Sequence, residues 1–529
     1  MGKDFRSARS PNAAAVKRLR GQFSEARLVV AGKSRWAKPD AWAAAATDEL
    51  SRPAFANSAR ANSSRIDLRY AIGVALRKRR KPVCSARVLT PAMPVKSTSV
   101  IASRACCSRL GRAPRTRGGS HADKFTGKIR VPGRHRAFEG ARRCRKPNKS
   151  GARARAKNRG GADIERDRQI PRALVDAIGD AGLFGLWLPK AFDGPELNLV
   201  DYIRVIEELA RADGSVAWCV TVAASLARIA GYLQPDIALR VFGGGRTVVA
   251  GTINPTGKAF TVDGGYRVTG RWAYGSGILH STWTLGNCIV HDRDGPRRGS
   301  SGAPELRLVI FPTGAVEVID TWHVSGLRGT GSHDYRVADL FVRDDHSILC
   351  FDAMPLQPGT LYAVPMITVL SVAIAAVPLG IARAAIDTAV ELAQVKTPGL
   401  PSLHGSSLLL RDKPTFQAAV GRAEALLGSA RSFLATVGDL WDEVSSGVAA
   451  SMKGRAMVRL ACTQAAQSAA QAVDLMYNAG GSTSLYETSR LERCFRDVHA
   501  CTQHIATSTD SYELGGRVML GFDSGRSQF

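Results

Sequence analysis

The stretch GRWAYGSGILHSTW, residues 270–283, sets Trp272, Tyr274 and Trp283 around the triplet Gly275-Ser276-Gly277. Large flat side chains beside one hydroxyl and two glycines fit a planar ligand that comes close to the backbone. The stretch follows FTVDGGYRVTG, which reads as a hairpin turning at Asp263-Gly264-Gly265. Such a strand ordinarily ends in a polar turn, so aromatic residues here need a reason. Other chemical signatures are missing. GLRGTGS has the wrong spacing for a dinucleotide fingerprint, and FGGGRT lacks the Gly-Lys-Ser/Thr ending of a phosphate loop. YGSGI is out of frame for a nucleophile elbow. His499 and His504, five apart on one expected helix, point about 140° apart and make a poor metal chelate, so no metal site is expected.

The elements that must position these residues follow from periodicity. Helical spacing begins near Asp163, with a stop at Gly182 and a split near Asp213-Gly214. From about 247 to 345 the period becomes 2, in six or more short strands. Four long helical patterns follow, near 362–395, 413–446, 453–479 and 489–512. The expected division is 161–246 helical, 247–350 an antiparallel β domain, and 351–529 a C-terminal four-helix bundle. The apolar run VPMITVLSVAIAAVPLGIARAAI from Val364 is interrupted by two prolines and reads as a buried bundle helix rather than a membrane span.

The formal net charge of +28 comes from one end of the chain. Residues 1–160 hold 40 Lys and Arg against 8 Asp and Glu, and the rest holds 33 against 37. The basic segment has no sustained period and is expected to be disordered. It reads as sequence of doubtful authenticity joined to an enzyme, as a targeting segment, for which it is too long and not amphipathic, or as a basic arm. The basic arm would give nucleic-acid binding, which the near absence of interleaved aromatics disfavours. Ten cysteines without a Cys-x-x-Cys pair, and an N-terminus without an apolar signal core, point to reduced thiols in a cytoplasmic protein.

Three separated stretches, in order, resemble the acyl-CoA dehydrogenase superfamily. GGYRVTGRWAYGSG is similar to its strand against the flavin ring, and WHVSGLRGTGSHDYRVADLFV to its glycine-rich turn and strand. LYETSRLERCFRDVHA is similar to its last bundle helix. The resemblance covers roughly residues 163–522 and implies an α+β fold of helical domain, β domain and helical bundle. In the dehydrogenases a glutamate follows the Arg-Asp pair by about two turns; counting from Arg496-Asp497 lands on QHIAT, near Ile505, with no carboxylate. The serine of WxxxSG, GLRGTGS and the histidine of RDxHA are instead those of the two-component flavin-dependent monooxygenases.

That branch implies reduced flavin (FMN or FAD) from a separate reductase, O2 as co-substrate, a C4a-hydroperoxyflavin, and hydroxylation of an aromatic or heterocyclic small molecule. It implies a homotetramer, with acyl-CoA dehydrogenation as the alternative. By the same resemblance Trp272 and Tyr274 flank the flavin, Gly277 lets the backbone close in, and Ser276 bonds near its reactive edge. Arg328 and Ser332 line its pocket, and His499 serves as catalytic proton donor or acceptor. Ser215 and Trp218 match a motif of the phenol hydroxylases, yet Leu226 stands where they carry a histidine for the phenol oxygen. A substrate pocket with Trp218 and Leu226 therefore suits an apolar or heterocyclic ring as well as a phenol. Taken singly, each residue also has a structural reading: Ser276 as a turn cap, Trp272 as core, His499 bonded to a neighbouring carboxylate.

Overall fold

The computed structural model describes residues 161–299, 302–397 and 408–522. The basic segment 1–160, with the expectation of disorder and the nucleic-acid reading, lies outside the described residues. Residues 161–167 are helical and bury Ile164. Helix α1 (Arg172–Asp180) ends before Gly182, whose φ of 70° turns the chain. Helices α2 (Leu199–Ala212) and α3 (Gly214–Ala227) meet at Asp213, which is extended and accepts from Val216 N at 3.0 Å as the N-cap of α3. Nearly every residue of α3 is buried, which is why its sequence shows no polar face. Helix α4 (Pro235–Phe242) completes this layer, with Pro235 at its first turn.

The strands are β1 (Val249–Val262), β2 (Gly265–Gly275), β3 (Trp283–Asp292), β4 (Gly295–Pro296), β5 (Leu306–Pro312), β6 (Glu317–Ile319), β7 (His333–Arg343) and β8 (Ser347–Leu349). They form one eight-stranded sheet in the order β6-β7-β2-β1-β3-β5-β8, with β4 on β3. The expected hairpin is present, pairing Val262 with Gly265. The sheet is not wholly antiparallel as expected: β3 runs parallel to β1, with Val249 opposite Trp283. The cause is the connection after β2. One edge of β2 is taken by β1 and the other by β7, so the chain must pass over the end of β1 to find a free edge. Residues 276–282 make that passage, about two strand spacings or roughly 9.5 Å. The aromatic-and-glycine stretch is therefore a crossing loop, not a failed hairpin turn.

The C-terminal helices are α5 (Met366–Ala393), α6 (Pro414–Phe433), α7 (Thr436–Ser445), α8 (Met452–Gly480), α9 (Arg490–Thr502) and α10 (Asp510–Met519). Two expected helices are each divided. The 413–446 pattern breaks after Phe433, and the 489–512 pattern stops at Thr502, with a short turn at Ile505–Thr507 before α10. The second break falls in HIATSTD, whose short polar side chains bond locally to backbone: His504 accepts from Ala506 N and Ser508 from Asp510 N. Helix α5 is buried along most of its length, and Gly380 lets it approach α2 so closely that a Cβ there would lie 2.2 Å from Glu207 O. Among the described residues two stretches are long and apolar enough to cross a membrane, Gly214–Tyr232 and Met366–Ala393, and 89% of the most apolar window of each is buried within the fold.

Candidate active site

Ser276 opens the crossing loop, and its hydroxyl is bonded from two sides. Trp218 Nε1 of α3 donates to Ser276 Oγ at 3.2 Å, and Ser332 Oγ, just before β7, lies 2.7 Å away. Ser332 in turn lies 2.7 Å from Thr330 Oγ1, which donates to Leu327 O at 2.8 Å. A hydroxyl has one proton, and a carbonyl can only accept. The proton of Thr330 goes to Leu327, so Ser332 donates to Thr330 and Ser276 donates to Ser332. The chain Trp218–Ser276–Ser332–Thr330 thus runs in one direction and leaves Ser276 Oγ one acceptor lone pair. All three hydroxyl residues are buried.

The turn that carries Thr330 is held in a costly conformation. Leu327 has φ 52°, a left-handed value that a bulky side chain rarely adopts. Its N–H donates to Asp497 Oδ1 of α9 at 2.6 Å, and its carbonyl accepts from Trp322 Nε1 at 3.1 Å as well as from Thr330. Next to it, a Cβ on Gly326 would lie 2.1 Å from Arg496 O, so only glycine lets the turn dock on α9. Asp497 is itself gripped: Arg493 Nε lies 3.3 Å from Asp497 Oδ2, and its Nη2 lies 3.0 Å from Asp213 Oδ2. Arg496 pairs with Glu165 at 2.8 Å and donates to Ser325 O. Burial pushes the Asp497 carboxyl above the usual carboxylate range, while Arg493 beside it favours the charge.

The residues singled out from the sequence fall into two groups. Ser276, Ser332 and Trp218 are brought together, with Gly277 following at φ 76°. Trp272 is not at the surface of this site. It is fully buried in the core of the sheet, stacked on Tyr335 at 5.3 Å, and donates to Asn287 O at 2.8 Å. Tyr274 is 63% exposed at φ 66° and meets Trp322 edge-on. Arg328 donates to Val324 O at 2.9 Å, within its own turn. Leu226 lies two turns beyond Trp218, about 12 Å along α3, and packs in a core cluster that includes Leu285 and Ile310.

His499 points to the bundle surface, bonded to Asp474 at 2.9 Å and 42% exposed at its side chain. His504, not His499, is the histidine that lies against Trp218. Its ring stands edge-on to Trp218, at 5.7 Å between centroids. The signal was in the sequence, one residue from where the count from Arg496-Asp497 ended; the assumption of a continuous helix hid it. Thr330 was also passed over, because a threonine in a turn carries no mark of its own.

The site is electrically quiet. Burial, and then Arg459, hold His504 down at about 4, and burial and Arg172 do the same to His280, beneath Gly277. Both are neutral at pH 7. The nearby carboxylates Asp497, Glu165 and Asp213 are engaged by arginines. Among the described residues no group of three His, Cys, Asp or Glu could hold a metal. Ser215 Oγ and His280 Nε2 are buried without a partner, near Gly329 and Gly277 respectively. Neutral hydroxyls, a neutral imidazole and unpaired polar atoms fit an uncharged ring edged with nitrogen and carbonyl groups, as in a flavin.

The two histidines also make a stability prediction. A histidine whose folded value is about 4, against 6.5 unfolded, binds fewer protons when folded. Stability is therefore whole above pH 6.5 and is lost as pH falls through the window from 6.5 to 4. The loss is about 3 kcal/mol for His280 and less for the more open His504. Urea unfolding across this range checks it, and His280→Asn should flatten the slope.

The sequence pattern of the acyl-CoA dehydrogenase N-terminal domain matches residues 151–234, and that of the C-terminal domain matches residues 372–509. An indole-3-acetate monooxygenase from Pseudomonas putida is 31% identical over 363 residues, 68% of this chain and 89% of that one. The chain belongs to the acyl-CoA dehydrogenase superfamily, in its flavin-dependent monooxygenase branch. Another relative in that branch is the flavin-dependent monooxygenase oxygenase subunit HsaA from Rhodococcus jostii. It is 28% identical, over 67% of this chain and 92% of that one. Among solved structures, XiaF from Streptomyces sp., in complex with FADH2 and glycerol, superposes with a TM-score of 0.64 at 28% identity. The match covers 72% of this chain and 96% of XiaF. The N-terminal match starts at 151, within the stretch read from the sequence as the basic segment.

Proposed function

We propose that this flavin-dependent monooxygenase is the oxygenase component of a two-component system and hydroxylates a neutral aromatic or heteroaromatic small molecule. Reduced FMN or FAD comes from a separate reductase, and O2 is the co-substrate. The one-directional hydroxyl chain that passes through Ser276 carries this reading, with His504 against Trp218 at its head and the carboxylates nearest it among the described residues, Asp497, Glu165 and Asp213, engaged by arginines. When bound, the reduced flavin supplies the two electrons that activate oxygen. Ser276 accepts a hydrogen bond from the ring, and Trp218 and Ser332 fix its rotamer. His504 offers Nε2–H as a neutral donor, because its Nδ1 accepts from Ala506 N at 3.1 Å. Burial keeps bulk water from these groups.

Dehydrogenation would need a general base within reach of the substrate proton, and the engaged carboxylates do not supply one. The division at 160/161, 246/247 and 350/351, a homotetramer and a cytoplasmic location belong to the same proposal. The test mixes the complex with reduced flavin against oxygen in a stopped-flow instrument. A long-lived near-ultraviolet transient is expected, and Ser276→Ala should shorten its life by about tenfold, the equivalent of about 1.4 kcal/mol. No transient, together with reduction of bound flavin by acyl-CoA thioesters, would sink the proposal.

A further inference from the structure

Arg459 of α8 is 5% exposed, and among the described residues no carboxylate pairs with it. A buried guanidinium without a counter-charge is unusual and must be held by other acceptors. Its fork reaches three elements. Nη1 donates to Ser371 Oγ of α5 and, at 3.2 Å, to Ala506 O; Nη2 donates to Ser511 Oγ of α10 at 3.0 Å. Ala506 is the residue whose N–H caps His504 Nδ1. One short turn is therefore fixed from both sides, its carbonyl by the arginine and its amide by the imidazole.

We propose that Arg459 is a positioning residue for His504: its fork locks the Ala506 turn so that the imidazole keeps one tautomer, Nε2–H, edge-on to Trp218. The inference rests on the role given to His504 above, and extends it to a residue outside the hydroxyl chain. Two physical effects act together. Losing the fork frees Ala506 to swing, and with it the hydrogen bond that fixes the tautomer. Losing the charge removes the one charged side chain among the described residues that bears on the ring, so protonation becomes easier. A lysine would keep the charge but could not span Ser371, Ala506 and Ser511 from one point.

The test uses the full chain labelled with 15N-histidine, without flavin, and follows His504 by NMR across pH. In the unaltered protein a single Nε2–H tautomer and a midpoint near 4 are expected. Arg459→Met should raise the midpoint by about one pH unit and bring a mixture of tautomers. Arg459→Lys should keep the low midpoint but still mix the tautomers. Unchanged His504 spectra in both variants would overturn the proposal. Should R459M give no folded protein, R459K and Ser511→Ala decide by the same tautomer signal, and a pure Nε2–H form in both overturns it. Altered spectra with an unaltered transient on mixing reduced flavin and oxygen would leave Arg459 as assigned and remove His504 from the chemistry.

Discussion

Asp497→Ala is expected to destabilise the protein by about 3 kcal/mol and to abolish flavin binding. The substitution leaves the N–H of Leu327 buried without an acceptor and takes from Arg493 one of its carboxylate partners. The turn then has no reason to hold Leu327 at φ 52°, and its relaxation moves Thr330 and breaks the donor chain to Ser276. Asp497→Asn separates the two effects, since its amide oxygen still accepts from Leu327 while the charge facing Arg493 is gone. Urea unfolding and flavin fluorescence titration check both variants. An alanine variant that binds flavin normally would show that the turn keeps its shape without the clamp.

The second large effect distinguishes two histidines five residues apart. His504→Asn should slow product formation by about 100-fold or more, the range of a lost proton donor or acceptor. Asparagine can still accept from Ala506 N, so the turn survives the change. His499→Asn should leave the rate within about twofold and cost under about 1 kcal/mol, because it loses only a half-exposed pair with Asp474. Single-turnover product formation with reduced flavin and O2 decides between them. The opposite order would restore His499 to the role the sequence first suggested.

The legible parts of this chain were those with local causes. The split at Asp213-Gly214, the stop at Gly182 and the hairpin around Gly264 each follow from residues a few positions apart, and each stands as expected. Ser276 and Ser332, each beside glycine in the sequence, do come within 2.7 Å of one another. The parallel pairing of β3 with β1 was not, since it depends on which edges β7 and β2 have already occupied. Nor was the end of α9 at Thr502, where a run of weak helix formers and side-chain caps competes with a strong periodic pattern. That break matters at the site, because His504 meets Trp218 from the turn that follows it. Trp272 shows the opposite failing: an aromatic beside the right loop looked like a wall, and strand alternation put it inside the sheet.

The arginine–carboxylate clamp on the glycine-rich turn also sets an order of events during folding. Leu327 and its acceptor Asp497 are 170 residues apart, and Arg496 and Glu165 are 331 apart. Contacts of such separation form late, after their loop-closure entropy has been offset by packing elsewhere. The sheet can pair its strands while the last bundle helix is still unplaced, but Leu327 cannot take its left-handed form until α9 and the helical residues 161–167 arrive together. A chain still emerging from the ribosome, with its sheet complete and α9 unmade, therefore lacks the site. Flavin competence marks the closure of the two ends of the fold, which makes bound flavin a reporter of the finished protein rather than of any one of its parts.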